Sequence, residues 1–177
     1  MYQVGDLIVF GNKGVCKIDN IGTLESFDSK KLYYTLIPYF SSGGKIYTPV
    51  DNDKVIMRPL ISKEEALKLI EDIKNIDTIW ITNEKRREHE YKEAIRKCDC
   101  RELVRIIKTI YLRKQSRLTR GKRVLSIDSK YYKIAEENFY GELSISLGMN
   151  IDEVKKCVLA KIKQSETSSE LKNKLNR

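Results

Sequence analysis

The last 117 residues of this 177-residue chain contain no proline, since Pro38, Pro49 and Pro59 are its only three. Nothing of that kind interrupts a helix there, because proline stops one by removing a donor and clashing with the preceding turn. Long apolar runs are missing as well. None approaches the roughly 18 residues of a membrane-spanning helix, and the opening "MYQVGDLIVF" lacks the charged start and apolar stretch of an export signal, so no membrane partner and a cytoplasmic location are expected. Cys16, Cys98, Cys100 and Cys157 include one "CDC" but no paired zinc spacing, and His89 is the sole histidine. Reduced, mostly buried thiols are therefore expected rather than a disulfide framework or a metal site. No Gly-rich phosphate loop, nucleophile elbow or carboxylate and histidine cluster occurs, so the chain reads as no enzyme, with no cofactor and no small-molecule substrate.

What is present divides near "RPLISKEE". All the prolines and six of the nine glycines precede that point. There, short runs rich in β-branched and aromatic residues ("DLIVF", "VCKIDNI", "LYYTLIPYF", "KIYTPV", "KVIMRP") alternate with the turn sequences "GNKG" and "SSGGK". Five short strands predict a small, strongly bent antiparallel sheet or SH3/Tudor-like barrel, because a flat sheet of this size leaves an apolar face wet.

After the break the period becomes helical. Ser62 with Glu65 forms a capping-box signal before a stripe of Ala66, Leu69, Ile70 and Ile73, and Asp99 with Glu102 repeats it before Leu103, Ile106, Ile107, Ile110 and Tyr111. A further helix runs from about Asp128 towards Leu147 through Tyr132, Ala135, Phe139 and Leu143 and stops at Gly148, and Asn150 with Glu153 opens the next, with Val154, Val158 and Ile162 inward. The fold class expected is α+β, with a barrel over 1–60 and a basic all-α helical bundle over 61–163. The polar segment 164–177 has too few apolar residues to repay ordering and is expected to be a disordered tail.

The charge is uneven. Residues 1–60 carry seven Lys or Arg against six Asp or Glu, whereas residues 101–133 carry eleven against Glu102 and Asp128 alone; that excess equals the +9 of the whole chain. Solvated faces usually mix signs, so Arg101, Arg105, Lys108, Arg113, Lys114 and Arg117, continued by Arg120, Lys122 and Arg123 around a glycine turn, point to a polyanion. They would hold phosphates without reading bases. Trp80, the only tryptophan, stands between Ile79 and Ile81 and shortly before Lys85, Arg86 and Arg87. It is either a packed interdomain indole or a wedge beside a basic grip, the latter because cations at a helix's opening oppose its dipole and so suggest an outside partner.

In order, "VGDLIVFGNKG", "KIYTPVDN", a helix, a Trp with a following Arg pair, "DCRELVRIIKTIYLRK", a Gly-Lys-Arg turn and "AEENFYGELSISLG" resemble the CarD-like (CdnL) bacterial transcription regulators over roughly residues 1–160. The amino-terminal domain of that family is shared with the RNA polymerase-interacting domain of transcription-repair coupling factor. The resemblance implies a Tudor-like domain docking on the RNA polymerase β subunit, and a helical domain gripping promoter DNA at the upstream edge of the transcription bubble. There a Trp enters the minor groove and modulates open-complex stability. Trp80 lies a few residues upstream of the family's usual position, nearer to which Glu84 stands, while Tyr47 and Leu24 occupy places where some members have Arg. Polymerase contact is therefore expected from a strand edge together with Leu24, Lys45 and Tyr47. Two other readings stay open on the residues alone: a basic RNA- or ribosome-associated accessory protein, and a peptide-binding SH3-like module on a helical spacer.

Overall fold

The computed structural model describes residues 1–24, 31–40, 43–79, 81 and 83–175, with side chains described up to residue 165 apart from that of residue 84. Five strands form one antiparallel sheet: β1 (Leu7–Phe10), β2 (Val15–Gly22), β3 (Tyr33–Pro38), β4 (Ile46–Pro49) and β5 (Met57–Pro59), in the order β4-β3-β2-β1-β5. Five α-helices follow: α1 (Lys63–Asp72), α2 (Arg87–Arg96), α3 (Cys100–Thr119), α4 (Ser126–Leu147) and α5 (Ile151–Leu175). Single 3-10 turns fill Gly11–Lys13, Ile73–Asn75 and Glu84–Arg86.

The strands lie where the β-branched runs place them, but the expected barrel closure is corrected. Among the described residues β4 and β5 are open edges, and the sheet does not close on itself. Its apolar face, carried by Ile8, Phe10, Cys16, Ile18, Tyr34 and Leu36, is sealed in part by the segment ahead of β1. Tyr2 lies across it, donating its backbone N–H to the Tyr34 hydroxyl at 3.2 Å and its own hydroxyl to the Met57 carbonyl at 3.3 Å. A side chain thus covers the face that hydrogen bonding between the edges would otherwise hide. The sheet also bends where Asp19 is squeezed out of the β2–β3 register as a bulge between Ile18 and Asn20.

The helices form a second apolar core. Its centre is α3, whose Leu103, Val104, Ile106, Ile107 and Ile110 pack with Tyr91 of α2, Phe139 and Leu143 of α4, and Val154, Val158 and Ile162 of α5. Local cues act as read: the Ser62 and Glu65 capping box is closed in both directions, and Gly148 ends α4 at φ 63°. Asp99 caps α3 through the N–H groups of Arg101 and Glu102. α4 begins at Ser126, two residues before the carboxylate that marks its start in the sequence, because Asp128 turns inward instead of capping. The backbone of α5 is helical to Leu175, so residues 164–175 continue a helix where a disordered tail is expected, and Ser165 is buried.

The two cores meet through polar chemistry. Glu142, only 1% exposed on α4, accepts from both terminal nitrogens of Arg58 on β5 at 2.6 and 2.8 Å, from the Ile61 N–H at 3.0 Å and from the Cys100 thiol at 3.1 Å. Arg58 also donates from Nε to the Cys98 carbonyl at 2.7 Å. Burial works against the guanidinium charge, but the hydrogen bonds and charge of Glu142 hold its pKa above the ordinary value. Two close approaches add to the seam. A Cβ on Gly141 would stand 2.9 Å from the Phe40 ring, and one on Gly14, at φ +70°, would stand 2.7 Å from the Asn138 amide oxygen.

Removing one partner of a buried ion pair strands the other charge. Arg58→Met should therefore lower unfolding free energy by about 3–5 kcal/mol, and the double variant Arg58→Met, Glu142→Leu should recover most of that loss in urea titrations. Equal stability of the single and double variants would mean that Glu142 has other compensation.

Candidate functional site

The basic segment resolves into an internal part and an external part. Arg101 reaches Asp72 at 2.6 Å, tying α3 to the end of α1, and Arg105 pairs with Glu102 at 2.9 Å along its own helix. Lys108 is buried, not displayed on a phosphate-facing surface. Its ammonium donates to the carbonyls of Ile73 at 3.1 Å, Lys74 at 3.4 Å and Ile76 at 2.8 Å, acceptors where α1 runs out through its 3-10 turn; the Ile73 carbonyl also takes the Ile76 N–H at 3.2 Å. Burial lowers its pKa, and Asp77 partly offsets this. Of these three cations only Lys108 is buried; Arg105 is half-buried, and Arg101, though paired, is exposed.

The external part is the carboxyl end of α3 and the turn into α4. Lys114, Arg120, Lys122 and Arg123 are exposed and Arg117 is half-buried. The turn is a Schellman closure: Lys122 N–H donates to the Arg117 carbonyl at 2.8 Å and Gly121 N–H to the Leu118 carbonyl at 2.9 Å, with Gly121 at φ +66°. Arg117 Nε donates to the Arg123 carbonyl at 2.7 Å, bracing the loop. The negative end of the helix dipole favours cations here, which accounts for one or two of them; Lys122 and Arg123 lie beyond that last turn. From residue 103 to residue 127 the sequence contains no Asp or Glu.

Asp128 joins this basic end to the other predicted cluster. Its carboxylate, 1% exposed, lies 3.8 Å from Arg87 of α2 and 3.7 Å from Arg113 of α3, and accepts from the Tyr91 hydroxyl at 3.1 Å. One buried carboxylate thus brings the start of α2 beside the distal half of α3 and the start of α4, so Lys85 and Arg86 come to the same end of the molecule as the α3–α4 turn. The same contact corrects two expectations. Arg87 is buried and cannot grip phosphates as it stands, and Arg113 is partly withdrawn. Cations at the opening of α2 also have internal counter-charges, Asp128 for Arg87 and Glu90, 3.9 Å away, for Arg86, so their place against the helix dipole does not by itself require an outside partner. Lys85 is exposed, its backbone N–H held by the Asn83 side chain at 2.9 Å.

Trp80 lies outside the described residues. Its neighbours are anchored: Ile79 and Ile81 pack against the helical core, and the Ile79 N–H donates to the Thr109 hydroxyl at 2.8 Å. That attachment on α3 lies about 15 Å along the helix axis from Thr119, at 1.5 Å per residue.

The strand-edge residues lie at the far side of the sheet. Tyr47 is 44% exposed on the edge strand β4, opposite Thr35 of β3. Lys45, just ahead of β4, reaches across β3 to the bulged Asp19 of β2, with Nζ to Oδ2 at 3.0 Å. Leu24, two residues beyond β2, is half-buried. Edge, bulge and lysine therefore form one exposed rim.

The buried roles of two carboxylates went unread in the sequence: Glu142, which holds the seam between sheet and helices, and Asp128, which the sequence marks only as a helix start. A signal existed for Glu142: it interrupts the apolar face that runs from Phe139 to Leu143 on α4. Cys100 belongs to the same hub. Burial first, and then the Glu142 carboxylate, push its thiol pKa up, so it stays protonated and donates.

Residues 2–61, which hold all five strands, match the family model of the CarD-like/TRCF RID domain. No curated protein matches the chain.

Lys108→Met retains the aliphatic stem and deletes the charge, removing the ammonium from the carbonyls of Ile73, Lys74 and Ile76, of which Ile73 keeps the Ile76 N–H. Unfolding free energy should fall by about 1–3 kcal/mol, with amide exchange accelerated first over residues 73–76. A variant as stable as the parent would show that water replaces the ammonium without cost.

Proposed function

We propose that this chain, whose residues 2–61 match the model of the CarD-like/TRCF RID domain, is a non-enzymatic transcription regulator that holds RNA polymerase through its sheet and promoter DNA through its helices, and modulates the lifetime of the open complex. The family match is the single observation that carries the polymerase half. What supports the DNA half is the gathering of Lys85, Arg86, Lys114, Arg117, Arg120, Lys122 and Arg123 at one end of a helical domain, with no carboxylate in the sequence between residues 103 and 127. A basic RNA- or ribosome-associated protein would need only those cations and leaves the match over 2–61 without a role.

In this reading the β subunit adds to the β4 rim, where an open edge strand offers backbone donors and acceptors and Tyr47, Lys45 and Leu24 add side-chain contacts. Phosphate contacts at the α3–α4 turn position the helical domain without reading sequence. Trp80 acts as the wedge at the upstream edge of the bubble, on a segment fastened through Ile79 to α3, and fills a splayed base step against restacking. Arg87 and Arg113 serve here as supports, fixing the two basic segments relative to each other through Asp128.

Adding the protein to polymerase and promoter should change the rate of open-complex formation or decay, followed by fluorescence of a reporter base in the bubble; unchanged rates would overturn the assignment. Trp80→Ala should shorten open-complex lifetime while co-sedimentation with polymerase persists, whereas an insoluble or unfolded variant would place the indole in the core. Lys122→Glu with Arg123→Glu should weaken duplex binding and reduce the slope of log K against log salt by about 1 for each phosphate no longer held. An unaltered slope would remove the turn from the interface.

A further inference from the structure

A cleft of about 660 Å³ lies elsewhere, between the loop leading into β5, the 3-10 turn after β1, one face of α2 and the first turns of α4. That is the scale of a bound ligand or a few residues of peptide. Its β wall presents Val55 and Ile56, 38% and 44% exposed, side by side. Their exposure is held in place. The Asn52 side chain accepts from the N–H groups of Lys54 and Val55 at 3.2 Å each and donates to the Val55 carbonyl at 2.6 Å, while the Ile56 carbonyl accepts from Gly11 at 2.9 Å. A rigid loop that keeps two aliphatic side chains in water loses little entropy on binding. Ile134 of α4 continues this apolar floor.

The rim is cationic. On α2, Lys92 and Arg96 lie one turn apart on the face that lines the cleft, Lys130 stands opposite on α4, and Lys54 caps the β side. Two of these share a single carboxylate, Glu88 lying 3.2 Å from Lys92 and 3.7 Å from Lys130, and Arg96 pairs with Glu93 at 3.1 Å. Lys54 meets no carboxylate among the described residues. The rim therefore keeps a positive excess around an apolar floor.

We propose that this cleft is a docking site for an acidic peptide segment of a partner protein that carries an aliphatic or aromatic anchor residue. The anchor occupies the floor between Val55, Ile56 and Ile134, and flanking Asp or Glu side chains meet Lys54, Lys92 and Lys130. Floor and rim match the usual division of a protein interface, an apolar centre supplying affinity and a charged margin supplying orientation and on-rate. A nucleic acid fits less well. Phosphates gain nothing from an aliphatic floor, and the Tyr131 ring is buried, with the Lys130 ammonium over its face at 5.1 Å and its hydroxyl on Glu88 at 2.9 Å, which leaves little for a base to stack on.

Selection of a random short-peptide library on the full chain tests this, with counter-selection on Lys92→Gln, Lys130→Gln and on Val55→Asp. Recovered peptides should combine two or more acidic residues with an apolar one. They should lose most of their affinity on both variants, while thermal melts of both stay near the parent, and duplex DNA should fail to displace them. Three outcomes each overturn the proposal: no acidic and apolar consensus, equal binding by parent and variants, or displacement by DNA, which would assign the peptides to the basic turn.

Discussion

A buried carboxylate needs several donors before it is tolerable away from water, and Glu142 draws its donors from three separate stretches of chain. Arg58 comes from the sheet edge, the Ile61 N–H from the lead into α1 and the Cys100 thiol from the start of α3. Each supplies part of the solvation that burial removes, so satisfying this one side chain fixes where the sheet stands relative to the helices. Apolar packing is indifferent to small rotations; a bidentate guanidinium on a carboxylate is not. Phe40 against Gly141 and Asn138 against Gly14 fill the same seam at distances that would not admit a Cβ without a shift. For a protein read as bridging a polymerase and its promoter, a fixed angle between the two halves converts the position of one partner into the position of the other.

Asp128 repeats the device at the other end. It draws Arg87, Arg113 and Tyr91 inward and so aligns two basic segments that lie far apart in sequence. The consequence is that part of the positive charge goes to the interior. Lys108 goes to the carbonyls at the end of α1, while Arg101 and Arg105 are paired with Asp72 and Glu102 nearer the surface. Of the segment's water-facing cations, Lys114, Arg120, Lys122 and Arg123 gather at one end, and concentration is what raises local potential. The same internal pairing shapes the cleft beside α2, where Glu88 is shared by Lys92 and Lys130 and the rim stays positive.

Where local chemistry suffices, the sequence was a good guide. Ser62 and Glu65 close a capping box from residues three apart, Gly148 and Gly121 end helices through their own backbone freedom, and the stripes on α1, α3 and α5 follow from the helical period alone. It was a weaker guide wherever a charged residue could face either way. Lys108 and Arg113 carry the same sign of charge as Lys114 on the same helix, yet only Lys114 stands fully in water. Nothing within a few positions of Arg87 announces that a carboxylate on another helix, Asp128, will bury it. Barrel closure misled for a related reason: whether Tyr2 or a neighbouring strand covers the sheet is settled by contacts between residues far apart in sequence.

The succession of elements, the break near residue 60, the resemblance carried by the first strands and the surplus of positive charge were all legible in the chain before any fold was known, because each depends on adjacent residues or on simple counting. Which cations face outward, how the sheet is sealed and how its edge is locked to the helices emerged only on folding. Those outcomes rest on buried charges finding counter-charges as far as 84 residues away, and desolvation makes such pairings all or nothing in a way no local pattern encodes.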